Sequence, residues 1–300
     1  MSHSHNHHEH HVPTSGKRLF ITVLLNFTIT VAEIIGGIVS GSLSLISDAL
    51  HNFSDGIAVI ISYIAIRLNK KPKDYKFTFG YKRAEIIAAV FNASVLIGIS
   101  LYLFFEAYKR FANPEKIEGE LMIIVAAIGL VANVAGTLLL KSGAEHNMNI
   151  RSAYLHLFSD AVSSVGVIIG GVFIYHFDVY WIDPLITVLI SIYIIKESWE
   201  IVKEAIEILM MAAPNSIPIK KIEKEIIKID KIVSIHHVHF WKINENDIHF
   251  EAHVKVNDMY VSDTEKLLEL IEELLHHKFG IEHITLQFEV DRCEDTGLIK

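Results

Sequence analysis

The sequence predicts an α-helical membrane protein with six transmembrane helices, followed by a small C-terminal α+β domain. Three observations support this prediction. The chain has 300 residues, 51% of them hydrophobic, and a mean hydropathy of +0.36. Its apolar residues gather in six segments, each long enough to cross a bilayer as a helix. After Ala213 the pattern changes to shorter amphipathic elements, which are typical of a domain in water.

The six apolar segments organise the first two thirds of the chain. They run from Leu19 to Val39, Leu45 to Leu68, Ala84 to Phe111, Leu121 to Leu140, Ala153 to Phe177 and Trp181 to Met211. We therefore assign residues 17–212 to a transmembrane domain, 213–300 to a cytosolic domain and 1–16 to a histidine-rich tail. The tail is either a metal-loading segment or an expression tag, and its interrupted histidine pattern favours the first.

The distribution of lysine and arginine predicts the orientation. Basic residues precede the first segment, seven lie in the second connection and two in the fourth, whereas the first and fifth connections contain none. The third connection has three, Lys109, Arg110 and Lys116, which four glutamates offset. The positive-inside rule then places the even-numbered connections and both termini in the cytoplasm. The polar N-terminus is unlike a signal peptide, and together with the short connections this favours a prokaryotic inner membrane.

The C-terminal domain is expected to have the order α-β-β-α-β, with its helices on one face of a three-stranded sheet. A helix is predicted over Ile217–Ile229, strands over Ile232–Ile243, Ile248–Val256 and Glu282–Val290, and a second helix from the capping box Ser262–Glu265 to Gly280. Asn244 to Asp247 is predicted to form the turn between the first two strands.

The net charge of −8 argues against a nucleic-acid partner, and the single cysteine, Cys293, excludes a disulfide framework or a thiolate metal cluster.

The most informative feature is a duplicated motif: the pattern Leu-His-x-Phe-Ser-Asp occurs in two of the apolar segments. Residues four apart share one face of a helix, so His51 and Asp55 point the same way, as do His156 and Asp160. Two such helices side by side would present two nitrogens and two oxygens, a tetrahedral ligand set for zinc. Cadmium, cobalt and other divalent metals fit the same ligands less selectively.

Two further carboxylates lie in apolar segments. Asp48 lies seven residues before Asp55, and we expect it to support His51 from behind or to line a path to the site. Glu33 either holds a proton or faces a water-filled vestibule, because a carboxylate in a bilayer needs a partner.

The ligand chemistry predicts a mechanism. Metal must displace the proton of histidine, whose ordinary pKa is about 6.5, so protonation and metal binding exclude each other at one site. A site exposed alternately to the two sides of the membrane would exchange metal for protons. A phosphate-binding Gly-rich loop with lysine is missing from the sequence, which argues against ATP-driven transport. Gly36, Gly37, Gly41, Gly170 and Gly171 are expected to let helices approach closely.

From Lys17 to Asp291 the chain resembles the cation diffusion facilitator family, specifically its zinc-transporter branch. The resemblance rests on the segments 47–55 and 79–85, on the second His-x-x-x-Asp, and on the segments 237–241 and 285–289. It implies a homodimeric zinc/proton antiporter in the lipid bilayer, with a ferredoxin-like cytosolic domain that binds zinc at the dimer interface. The transport ligands that the resemblance implies are His51, Asp55, His156 and Asp160.

The resemblance also implies a cytosolic zinc site. Alternation along the strands separates His236 and His239 from His237 and places His249, Glu251 and His253 on one face. The family pattern favours His236, His253 and Glu289 as ligands, with His239 and His283 as nearby candidates. This zinc is expected to have a structural or regulatory role.

Two other function classes were considered. A membrane metalloenzyme also places histidines and carboxylates in helices, but the chain lacks His-Glu-x-x-His and any Glu-x-x-His pair within a span. A metal sensor would need an output module, and none is recognisable after the membrane part. We therefore expect a transporter, not an enzyme, that exports divalent cations from the cytosol.

Overall fold

The computed structural model of the chain describes residues 15–69, 71–144, 148–244, 247–293 and 297–299. Six long helices come first: α1 (Ser15–Ser40), α2 (Leu43–Asn69), α3 (Ala84–Ala112), α4 (Gly119–Ala144), α5 (Met148–Phe177) and α6 (Ile182–Leu209). Each coincides with one apolar segment predicted from the sequence and differs from it by a few residues at the ends. All but the last two residues of the histidine-rich tail lie outside the described residues.

Three of the helices are long and apolar enough to cross a membrane, among the residues described. They are Ala84–Ala112, Gly119–Leu139 and Tyr154–Phe177, and α1 contributes the shorter apolar stretch Phe27–Ser40. The prediction of a helical membrane protein is confirmed, while the count of six spans stays a prediction. The predicted domain boundaries at 17, 213 and 300 likewise stay predictions.

The helices form part of two compact units, which we describe separately. The first consists of Met1–Ile60 and Asn92–Glu200, the second of Ile61–Phe91 and Ile201–Lys300. In the first unit α4 packs along α5 and α1. An apolar cluster in its interior includes Leu45, Met122 and Val167.

Glycines allow the close approach of α4 and α5. A Cβ added at Gly119 would lie 2.8 Å from the backbone nitrogen of Tyr175 and 3.0 Å from the carbonyl oxygen of Gly171. Backbone atoms cannot move aside as a flexible side chain can. The predicted role of Gly171 in close packing is confirmed, because an added Cβ there would meet Ile123 at 2.7 Å.

The N-terminus of α2 is capped by a carboxylate from α6. Asp183 accepts hydrogen bonds from the backbone nitrogens of Leu43 at 2.8 Å and Ser44 at 3.2 Å. Its Oδ1 also accepts from the hydroxyls of Ser42 at 2.6 Å and Ser44 at 2.5 Å. Asp183 is fully buried and lies in the first turn of α6, so it faces the positive ends of two helix dipoles.

The second unit contains the small α+β domain. Its elements are α7 (Ile219–Ile226), β1 (Ile232–Lys242), β2 (Ile248–Val256), α8 (Val261–Phe279) and β3 (His283–Glu289). The sheet order is β1-β2-β3, with β1 antiparallel and β3 parallel to β2. Alternate residues of β2 pack with the helices around Phe250 and Ile271. The predicted order of elements is therefore confirmed.

A bulge interrupts β1 between His236 and His239. His237 has a positive φ of 50°, and its backbone nitrogen donates to the carbonyl oxygen of Gly297. Strict alternation would place Ile235 and Val238 on opposite faces of the strand, but the extra residue in the bulge lets Ile235, Val238 and Phe240 all face the core. It consequently places His236 and His239 on the outer face of the sheet.

Two local predictions need correction or completion. The helix α8 begins at Val261 after Tyr260, without a side-chain cap, so the predicted capping box at Ser262 was wrong. Gly280 ends the helix in the left-handed conformation, with φ 67°, as predicted. At the hairpin, Asn244 and Asp247 bond to each other, while the two residues between them lie outside the described part.

Candidate metal centres

The duplicated motif brings its four side chains together inside the first unit. His51 and Asp55 come from α2, and His156 and Asp160 come from α5. His156 Nε2 lies 3.2 Å from Asp55 Oδ2 and 3.4 Å from Asp160 Oδ2. His51 Nε2 lies 3.6 Å from the same Asp55 oxygen, and the two imidazole rings are 5.8 Å apart. Asp55 therefore stands between the two histidines.

Three atoms that could bind a metal are buried and make no hydrogen bonds to described residues. They are Asp55 Oδ2, His156 Nε2 and Asp160 Oδ2. Ligand atoms of His51, His156 and Asp160 lie within 4.8 Å of one another. Buried polar atoms without partners cost free energy, which a divalent cation among them would offset. Two nitrogens and two carboxylate oxygens suit zinc and its neighbours.

Polar side chains on neighbouring helices surround this centre. Asp48 accepts a hydrogen bond from Ser163 at 2.9 Å, which ties α2 to α5. Asn52 donates to Glu33 at 3.1 Å, and both residues are almost fully buried. The expectation that Asp48 supports His51 or lines a path to the site stays a prediction, and its hydrogen bond to Ser163 had no signal in the sequence.

A second cluster forms on the outer face of the sheet. His236 faces His253 across the β1–β2 pair, and Glu289 is the last residue of β3. His236 Nε2 lies 2.9 Å from Glu289 Oε1, and His253 Nδ1 lies 3.4 Å from Glu289 Oε2. Neither nitrogen of the buried His236 ring makes a hydrogen bond within the described residues.

Cys293 joins this cluster, which the sequence analysis did not predict. Its thiol donates to Glu289 Oε2 at 3.3 Å, and the sulfur lies 3.6 Å from His253 Nδ1. Desolvation raises the pKa of Glu289, but the Cys293 thiol and the two histidines outweigh it and hold this pKa below its ordinary value. No local pattern could have indicated this contact, because Glu289 ends a strand and Cys293 follows it in a non-helical segment.

The other two candidates lie elsewhere on the sheet. His239 is opposite Glu251 and exposed, with its ring 5.0 Å from that of His237. His283 pairs with His249 at the far end of β3, with ring centroids 4.3 Å apart. Within the described residues neither belongs to the cluster that could hold a metal. Burial, with the charges of His283 and Lys82, lowers the pKa of His249 to about 4.

A helical membrane domain with buried histidine and carboxylate ligands, joined to a small α+β domain with a similar cluster, defines a membrane protein that handles metal cations. Residues 19–210 match the family model described as "Cation efflux transmembrane domain", and residues 214–291 match "Cation efflux protein, cytoplasmic domain". The chain belongs to the cation diffusion facilitator family, in its zinc branch. The resemblance inferred from the motifs is thereby confirmed.

Similar proteins match over nearly their full length. One is the metal cation efflux system protein CzcD of Cupriavidus metallidurans, 38% identical over 96% of this chain and 91% of the relative. Another is the cadmium, cobalt and zinc/H(+)-K(+) antiporter of Bacillus subtilis, 38% identical over 95% and 92%. The zinc transporter ZitB of Pectobacterium atrosepticum is 36% identical over 98% and 91%. The protein is thus a membrane transporter of the cation efflux class and not an enzyme.

Proposed function

We propose that the protein is a zinc/proton antiporter that exports divalent cations, mainly zinc, from the cytosol and is driven by the proton gradient. The observation that carries the proposal is the convergence of His51, Asp55, His156 and Asp160, in which Asp55 Oδ2, His156 Nε2 and Asp160 Oδ2 are buried without a hydrogen bond to any described residue. The names of the relatives, which include zinc transporters and an antiporter for cadmium, cobalt and zinc, support the same class of substrate. Cadmium and cobalt are secondary substrates in this proposal.

The exchange follows from the ligand types. Imidazole binds zinc only in its neutral form, so a proton arriving at His51 or His156 competes directly with the metal. Asp55 strengthens this competition because one of its oxygens faces both imidazole rings, at 3.6 Å and 3.2 Å. After the metal leaves, the protonated histidine would therefore still lie beside the Asp55 carboxylate. The protein would then return to its cytosol-facing state with protons bound at the site.

Supporting residues keep the two helices in register. We assign Asp48 a positioning role, because its hydrogen bond to Ser163 joins α2 to α5 about one turn from His51. Glu33 and Asn52 form a second buried contact, between α1 and α2. Neither pair supplies a metal ligand in this proposal.

The cytosolic cluster would hold a further zinc ion through His236, His253 and Glu289, with Cys293 as a fourth ligand. A bound zinc there would neutralise charge in an acidic domain and link the three strands of the sheet. We propose that it stabilises a homodimer through the cytosolic domain and tunes transport. His239 and His283 are not ligands in this proposal, which is supported by the grouping of His236, His253, Glu289 and Cys293 among the described residues.

We further propose that the protein resides in a prokaryotic inner membrane, with both termini in the cytoplasm. The support is the lysine and arginine content of the even-numbered connections. Cysteine-accessibility labelling from either side of the membrane tests this orientation, with single cysteines introduced in the connection between α2 and α3 of the Cys293→Ser protein.

Zinc uptake into proteoliposomes with an imposed pH gradient tests the transport proposal. The wild-type protein is compared with Asp160→Ala and Asp160→Asn, and with Asp178→Ala as a control carboxylate that lies outside the site. We expect uptake to depend on the gradient, to vanish in both Asp160 variants and to persist in the control. Normal folding of Asp160→Asn is checked by its thermal midpoint. Uptake that persisted in a folded Asp160→Asn protein would show that the duplicated motif is structural.

A further inference from the structure

A cavity of about 460 Å³ lies in the second unit, apart from both metal centres. It is enclosed by the connection between α2 and α3, the first turn of α3, Met211 after α6, and the end of β1. Its walls are mainly apolar and aromatic, with Phe79, Tyr81 and Trp241 among them. This volume falls in the range of roughly 300–1,000 Å³ that is usual for small-molecule sites.

The rim of the cavity is basic. Lys76, Lys82 and Arg83 all line it. Lys82 is held by Asp247 at 2.7 Å, which fixes the connection against the hairpin of the cytosolic domain. Within the described residues, no carboxylate lies within ion-pair distance of Lys76 or Arg83. The cavity therefore combines apolar walls with two cationic groups that are available to an anion.

The position of the cavity in the chain indicates its surroundings. Ala84 and Ile87 line it and belong to the first turn of α3, the helix Ala84–Ala112 that is long and apolar enough to span a membrane. Basic residues directly cytoplasmic of a span, together with aromatic side chains, are typical of the headgroup layer. In the proposed orientation the cavity lies at the level where acyl chains and phosphate groups meet.

We propose that this cavity binds one anionic phospholipid of the cytosolic leaflet. The phosphate contacts Lys76 and Arg83, and an acyl chain lies against Phe79, Tyr81 and Trp241. The inference rests on the proposed membrane orientation but not on the metal chemistry, so its failure would leave the proposed antiport untouched. The lipid would link the start of α3 to the cytosolic domain.

The tryptophans of the chain provide a direct probe. There are three, and replacing the exposed Trp181 and Trp199 by phenylalanine leaves Trp241 as the only indole. This full-length protein is reconstituted into vesicles of phosphatidylcholine, in which a set fraction of either phosphatidylcholine or phosphatidylglycerol carries brominated acyl chains. Bromine quenches tryptophan fluorescence only on close contact, so the quenching of Trp241 reports occupancy of the cavity by each lipid.

We expect brominated phosphatidylglycerol to be preferred over brominated phosphatidylcholine by roughly tenfold or more, since each Lys or Arg at the membrane surface contributes on the order of fivefold. In Lys76→Gln/Arg83→Gln the preference should disappear. The matched control is Lys71→Gln/Lys73→Gln, which removes the same charge from the same connection outside the cavity and should keep most of the preference.

Three results would overturn the proposal. Equal quenching by the two lipids would remove the headgroup contact. An equal loss of preference in the control would reduce the effect to general surface attraction. Displacement of phosphatidylglycerol by millimolar soluble glycerol phosphate would show that the site serves a free phosphate compound and not a bilayer lipid.

Discussion

The buried carboxylate at the start of α6 supports a quantitative prediction. In Asp183→Ala, the backbone nitrogens of Leu43 and Ser44 lose their acceptor at the N-terminus of α2. The hydroxyls of Ser42 and Ser44 also lose it, but they lie 3.1 Å apart and can bond to each other. The loss is therefore dominated by two buried N–H groups.

Each unsatisfied buried donor costs about 1–3 kcal/mol, so the free energy of unfolding should fall by about 2–6 kcal/mol. Asp183→Asn retains one acceptor oxygen but turns an amide donor toward the remaining donors, and we expect roughly half of that loss. Because 1 kcal/mol corresponds to roughly 2–4 °C for a domain of this size, the thermal midpoint of Asp183→Ala should fall by roughly 4 °C or more.

Thermal unfolding of the purified protein in detergent, followed by tryptophan fluorescence, measures the change. The matched control is Asp178→Asn, because Asp178 lies just before α6, bonds only Tyr180 among the described contacts of its side chain, and has a left-handed φ of 54° that asparagine tolerates. A midpoint for Asp183→Ala within error of this control would refute the assignment of Asp183 as the cap of α2.

Three further predictions concern packing, pH and metal. Gly119→Ala should lower the free energy of unfolding by about 1–3 kcal/mol, because the added Cβ would meet backbone atoms. Gly98→Ala should leave it unchanged, because the space around Gly98 is open, and urea unfolding compares the two variants. The pKa of His249 is lowered to about 4, so the unfolded chain binds more protons between about pH 4 and 6.5. The cytosolic domain should lose stability as the pH falls through this window, and His249→Asn should flatten the dependence measured by hydrogen exchange at several pH values. Cys293→Ser should weaken zinc binding at the cytosolic cluster by at least about tenfold in competition with a chelator, and an unchanged affinity would remove Cys293 from the ligand set.

The sequence was most informative where the signal was local or repeated. Long apolar segments gave the helices to within a few residues because burial in a bilayer requires a minimum length. The duplicated His-x-x-x-Asp pattern predicted a shared site because helical geometry fixes residues four apart on one face. The order of strands and helices along the C-terminal domain followed from short elements with strand and helix periodicity, and Gly280 marked a helix end through its conformation.

Contacts between distant parts of the chain had no such signal. Asp183 lies about 140 residues from the helix that it caps, and no local pattern indicates that partner. The bulge at His237 depends on pairing with the C-terminal segment, and it decides which histidines of β1 face outward. Cys293 follows the last strand, so its approach to Glu289 depends on how the chain turns after that strand.

The shared Asp55 oxygen makes the two halves of the membrane site unequal. The two copies of the motif are nearly identical in sequence, yet among the described ion pairs Asp55 Oδ2 lies 3.6 Å and 3.2 Å from the two imidazoles, whereas Asp160 Oδ2 pairs with His156 at 3.4 Å. A repeated sequence therefore does not produce a symmetric site. A replacement of Asp55 changes the surroundings of both histidines at once, whereas a replacement of Asp160 acts first on the histidine of its own helix.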